Sequence, residues 1–212
     1  MRILLILLAA ILPLQAGGLK KKKLANRYDF QDGDIVLQGD ASIQARAVTQ
    51  ATDSPYTHCG VVFEHEGKWM VIEAIQPVQV TSMENFASRS MPGTFKAMRL
   101  KKPVPAENVR KAYTWAEKQK GKNYDVQFRW DDEKLYCSEF VWKLYEQAGV
   151  ELCEKRPFRD YNLDAPMVKA MINQRYGDKS KLPLDEPAVA PSDIAASKLL
   201  VEVPRLEQAK KN

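Results

Sequence analysis

Two apolar runs, 60–64 and 69–74, stand four residues apart, and the connection His65-Glu66-Gly67-Lys68 contains a glycine. Runs rich in Val, Ile and aromatics joined this closely read as a hairpin, whereas parallel strands need a crossover of a dozen or more residues. The chain is thereby committed to antiparallel pairing. Residues 29–34 read as a turn and Ile35-Val36-Leu37 as a buried strand. The 41–52 segment suits a helix with Ile43, Ala47 and Val48 inward. A short helix over 82–91 has Thr81 or Ser82 as its cap, and a further strand covers 94–100.

The second half is more helical. Pro105-Ala106-Glu107 opens a helix with Val109, Ala112, Tyr113 and Ala116 on one side, ending at Gly121. Another begins at Cys137. Cys137, Phe140, Val141, Leu144 and Ala148 share its apolar face, Glu139, Lys143 and Glu146 lie opposite, and Gly149 stops it. Beyond lie recurrent prolines, a helix near 164–176 and a short strand near 199–203. The pattern predicts an α+β fold in which an antiparallel sheet or small barrel packs against the Cys137 helix.

At 212 residues, 45% hydrophobic and 28% charged, the chain suits one globular domain with extensions. Its net charge of +5 owes much to Lys20, Lys21, Lys22 and Lys23, and no basic-aromatic stripe follows, which argues against a nucleic-acid partner. Residues 1–16 combine one arginine, an apolar run and small residues at a cut site, as in a secretory signal. The lysines that follow oppose translocation, so an uncleaved anchor near a membrane is the alternative. The expected layout is a signal or anchor over 1–16, a basic linker over 17–28, a hydrolase domain over 29–205 and a polar tail over 206–212. Export to the periplasm or another extracytoplasmic space follows from the first of these. Three cysteines, Cys59, Cys137 and Cys153, leave at least one thiol free, and no Cys-x-x-Cys or His-x-x-x-His spacing suggests a metal; no cofactor is expected.

Cys137 is the candidate nucleophile, since the positive end of a helix dipole favours thiolate; the alternative is a buried structural cysteine. The chain has two histidines. His58 stands at a strand edge, beside a Gly60 that permits close approach. His65 lies among charged turn residues and is the weaker base. Glu73 shares a strand face with Val71. It either orients His58 or faces solvent. Cys59 points to the strand face opposite His58 and reads as core. Cys153 lies between Glu151 and Glu154, whose charge raises a thiol pKa.

The order Gly33-Asp34-Ile35-Val36, Tyr56-Thr57-His58-Cys59-Gly60, Glu73-Ala74, Gly121-Lys122-Asn123-Tyr124-Asp125 and Tyr136-Cys137-Ser138-Glu139 resembles the YiiX-like permuted papain-fold cysteine hydrolases, relatives of the NlpC-type amidases. The resemblance implies a permuted papain-like fold with Cys137 as nucleophile, His58 as base and Glu73 as third polar residue. It also draws attention to Tyr124, whose hydroxyl either donates to the oxyanion beside the Cys137 N–H or merely caps a packed ring. The implied reaction is hydrolysis of an amide through an acyl-enzyme, on a small-molecule, peptide or lipid-amide substrate. A lipid acyltransferase or thioesterase, or a non-catalytic binding module, is the alternative. The loops 77–95 and 153–166 are not strongly apolar in sequence, which favours a polar or small amide.

Overall fold

The computed structural model describes residues 27–206. The 1–16 segment, nearly all of the 17–28 linker and the tail beyond 206 fall outside them.

Six strands make one antiparallel sheet: β1 (Ile35–Gln38), β2 (His58–His65), β3 (Lys68–Ala74), β4 (Val78–Ser82), β5 (Lys96–Leu100) and β8 (Leu200–Glu202). Their spatial order is β4-β3-β2-β1-β5-β8. The sheet is open and does not close into a barrel. A separate two-stranded ribbon pairs β6 (Arg156–Pro157) with β7 (Pro187–Ala188).

The hairpin is tighter than the sequence suggests. His65 pairs with Lys68, so only Glu66 and Gly67 turn the chain, with φ of 50° and 73°. Two successive positive φ values give the turn a twist that matches the flanking strands. β4 is a strand not anticipated from the sequence; its Val-Gln-Val alternation is short and runs directly into the next helix.

Alternation along the strands divides the core. Ile35, Leu37, Cys59, Val61 and Ile72 face helices α3 (Ala106–Gln119) and α4 (Cys137–Gln147). Val36, Val62, Val71 and Ala97 face the opposite layer, where α2 (Met83–Ser88) contributes Met83, Phe86 and Ala87. Ser82 caps α2 by accepting from the Asn85 N–H at 3.2 Å. A third cluster holds Phe158, Val168, Ile172 and Leu182, from around α5 (Pro166–Tyr176), with Ala51 of α1 (Ile43–Thr52) packed on it.

Two expectations are corrected. Ile43 is 67% exposed and Val48 only half-buried; α1 buries Ala47, as expected, together with Ala45. Its face is set by α5, against which it packs, and small residues there allow close approach. Nor does α4 present a solvent face at Glu139 and Lys143. Every residue from Cys137 to Tyr145 is buried, because the 130–132 segment covers that side. Lys143 Nζ lies 2.8 Å from Glu139 Oε1, 3.0 Å from Asp132 Oδ1 and 2.5 Å from the Asp131 carbonyl. Burial raises the Glu139 carboxyl to about 8 against the pull of Lys143. Its other oxygen accepts from the Tyr136 N–H at 3.2 Å, closing the first turn of α4.

Candidate active site

Cys137 is the first residue of α4, so its N–H has no acceptor within the helix. The sheet brings His58 to it. β2 starts at His58, whose backbone pairs with Gln38 of β1. His58 Nε2 lies 2.5 Å from Glu73 Oε2, leaving Nδ1 for the hydrogen bond that the imidazole makes with the Cys137 thiol. Glu73 is fully buried and does not face solvent. The register explains the contact: Val61 opposes Ile72, so Glu73 stands beside Gly60 on the face that carries His58. A Cβ on Gly60 would lie 2.5 Å from Val71 Cγ1 and 3.1 Å from Glu73 Cβ. Only glycine leaves room for the acid.

Arg89, at the end of α2, was not singled out from the sequence. Its Nη2 lies 2.6 Å from both Glu73 oxygens. Its guanidinium covers Phe86, on whose ring His58 also stacks at 5.6 Å. Burial opposes ionisation of Glu73, but His58 and then Arg89 overcome it and hold the carboxyl at about 2. Burial likewise favours neutral His58, yet its bonds to Cys137 and Glu73 raise it to about 9.

Cys59 has a second role beside packing. Its side chain faces the core, as alternation requires, and there its thiol bonds Cys137. That bond is the largest influence on Cys137; burial opposes it, and the bond and charge of His58 reinforce it. Together they hold the Cys137 thiol well below its ordinary range. Burial, followed by the Cys137 bond, drives Cys59 the other way. These shifts favour a thiolate at Cys137, a neutral thiol at Cys59 and imidazolium at His58. Burial raises Cys153 to about 12. His65 ends β2 beside Lys68, exposed and outside this cluster.

Tyr124 also reaches Cys137. Its backbone N–H donates to Gln76 Oε1 at 2.6 Å, and flanking bonds from Gly121 N–H to the Val78 carbonyl and from Val78 N–H to the Lys122 carbonyl lay the 121–124 segment along β4. Its hydroxyl accepts from Gln44 Nε2 at 2.9 Å, and the ring lines the same slot as Cys137, close enough for the two groups to interact. Gln44 is a further residue not singled out from the sequence. Asp34, by contrast, is taken up by Arg99 at 2.7 Å, the Asp132 carboxylate by Lys143 at 3.0 Å, and Asp131 Oδ1 accepts from the Glu133 N–H at 2.9 Å.

Two spaces meet at this cluster. A slot of about 110 Å³ runs beside Cys137, walled by Val48, Ala51, Phe128, Phe158, Ala188 and Val189. On the other side, an open cleft of about 770 Å³ is lined by Gln38, Asp40, His58 and Arg89 together with the apolar Ala45, Ile75 and Val126. Gln44, Thr57 and Tyr124 border both. Ser138 Oγ donates to the Val189 carbonyl at 2.6 Å, and Val189 N–H donates to the Tyr136 hydroxyl at 3.2 Å, fixing the far wall.

The sequence is 33% identical over 165 residues to the YiiX protein of Escherichia coli strain K12, covering 77% of this chain and 81% of YiiX. The fold matches the crystal structure of YiiX from Escherichia coli O157:H7 with a TM-score of 0.77 at 33% identity, over 82% of this chain and 97% of that one. That YiiX structure is described as a metalloprotein. Among the described residues of the present chain, no group of three or more His, Cys, Asp or Glu side chains is placed to hold a metal ion. Residues 29–203 match the family described as permuted papain-like amidases, YaeF/YiiX, C92. The chain belongs to that family of cysteine hydrolases.

Proposed function

We propose that Cys137 attacks an amide whose acyl part is apolar and whose amine part is polar, forming an acyl-enzyme that water then releases. The observation that carries this reading is the position of Cys137 in the wall of the apolar slot, while His58 and Arg89 line the wider cleft on the other side. His58 must hand its proton to the leaving nitrogen, so that nitrogen belongs on the imidazole side, in the cleft. The acyl chain then extends the other way, into the slot. Oxygen charge on the tetrahedral intermediate falls near the Cys137 N–H and the Tyr124 hydroxyl. In the second half, His58 accepts a proton from water as the acyl–sulfur bond breaks. Glu73 stays ionised and steadies the imidazolium.

The slot draws its walls from α1, Phe128 and residues 188–189, as well as from the 153–166 loop. Apolarity read from the two loops alone therefore understates it. This favours an acyl-amide over a cell-wall peptide, and an exported location would suit either. The same slot favours the acyltransferase reading, in which an amine or alcohol replaces water as acceptor.

An acyl-amide panel separates these. With one constant polar amine, kcat/KM should rise with acyl apolarity, and Ala188→Phe should lower turnover of the larger acyl groups at least about tenfold while sparing acetyl, as expected for a filled pocket. A preference for charged acyl groups, unaffected by Ala188→Phe, would overturn the reading. Acyl appearing on an added amine instead of as free acid would establish the transferase form.

A further inference from the structure

We infer that Arg175 and Gln44 are positioning residues that fix the direction of the Tyr124 hydroxyl proton, and so make Tyr124 the side-chain donor to the oxyanion. This rests on the proposed acyl-enzyme chemistry.

The donor inventory sets the direction. Arg175 Nη2 lies 2.6 Å from Gln44 Oε1. A guanidinium has five N–H donors and no acceptor, so the Gln44 atom facing it must be the oxygen. The other end of that amide is then NH₂, and it faces the Tyr124 hydroxyl at 2.9 Å. An NH₂ can only donate, so it occupies a lone pair on the phenol and the phenolic proton must point elsewhere. The partner within reach is Cys137. A glutamine without Arg175 could turn over, accept the phenolic proton and draw it away from the sulfur. Arg175 removes that alternative. The donor that rests on the sulfur is then available to an oxygen forming on the carbon bonded to that sulfur.

Electrostatics point the same way. Arg175 ends α5 and lies over the Phe128 ring, 4.9 Å from its centroid. Its Nη1 is buried without a hydrogen-bond partner, and no carboxylate pairs with it among the described residues. Burial lowers its pKa, yet a guanidinium remains charged. Arg175 is half-buried, and the charge of Asp125 partly offsets the effect of burial. The Arg175 field favours negative charge at the Tyr124 oxygen, which strengthens that hydroxyl as a donor.

The test compares two reactions of Cys137 in the full chain: the p-nitrophenol burst from p-nitrophenyl acetate, and alkylation by iodoacetamide, which builds no oxyanion. Arg175→Met should slow the burst about 10- to 100-fold, in the range of a lost oxyanion donor. So should Gln44→Glu, whose carboxylate accepts from both neighbours. Both should alkylate within about twofold of wild type, since no oxyanion donor is used there. Arg175→Lys, which keeps a donor to Oε1, should recover most of the burst. Adding Arg175→Met to Tyr124→Phe should cost nothing further. A wild-type burst in Arg175→Met, equal losses in both reactions, or full additivity with Tyr124→Phe would overturn the relay alone. A wild-type chain with no Cys137-dependent burst would remove the hydrolase reading and the relay with it.

Discussion

At the scale of single residues, the site is a set of charges that hold one another in place. Cys137 carries thiolate because Cys59 and His58 donate to it, and His58 keeps its proton because Cys137 and Glu73 accept from it. The pH profile follows. Acyl-amide turnover should be level from mildly acidic pH up to the value of about 9 at which His58 loses the proton that the leaving amine needs. Alkylation needs only the thiolate and should not fall above that point. Cys59→Ala should move the acid limb of alkylation upward and leave the alkaline limb of turnover in place; an unmoved acid limb would remove Cys59 from the site. Stability is linked to the same groups. Glu73, held near 2, adds stability that is present above its ordinary value of 4.5 and lost as pH falls through 2. His58, held near 9, adds stability that is complete below 6.5 and lost as pH rises through 9. His58 and Glu73 were legible in sequence because a lone acid and base on apolar strands demand partners. Arg89, Gln44 and Arg175 were not. Each sits on a short helix or near a helix end, and nothing local tells a partnered side chain from a solvated one.

At the scale of elements, register places the chemistry. Alternation along β2 sends His58 toward Glu73 and Cys59 toward α4, and Gly60 between them allows Glu73 to stand close. Gly60→Ala should therefore destabilise the fold by about 1–3 kcal/mol, the range for overpacking, and lower turnover further by displacing Glu73. Thermal or denaturant unfolding measures the first effect; an unchanged midpoint would contradict the close packing of Gly60 against Val71 and Glu73. The strands and helices of the core follow from periodicity and turn signals, so most were readable. β4 was hidden because five residues run straight into α2. The buried Glu139–Lys143 side of α4 was hidden because helical periodicity cannot foresee a distant segment, in this case 130–132, folding over a charged face.

At the scale of the molecule, two unlike halves meet at one sulfur. The sheet half supplies His58, Glu73 and part of the wider cleft; the helical half supplies Cys137, and the segments flanking it supply the apolar slot. The permuted order, with His58 far ahead of Cys137, matters little once both lie at the same sheet–helix junction. The slot was the least legible feature, because its walls come from α1, Phe128, Phe158 and residues 188–189, which no local pattern connects. All of this chemistry depends on Cys137 being an activated thiolate that needs His58. Rate-resolved labelling with an electrophilic thiol probe near neutral pH, with each modified cysteine mapped, tests that directly. Cys137 should label well ahead of Cys59 and Cys153, His58→Ala should suppress that labelling, and His65→Ala should leave it unchanged. Equal labelling of the three cysteines, or equal effects of the two histidine substitutions, would contradict a Cys137 thiolate sustained by His58.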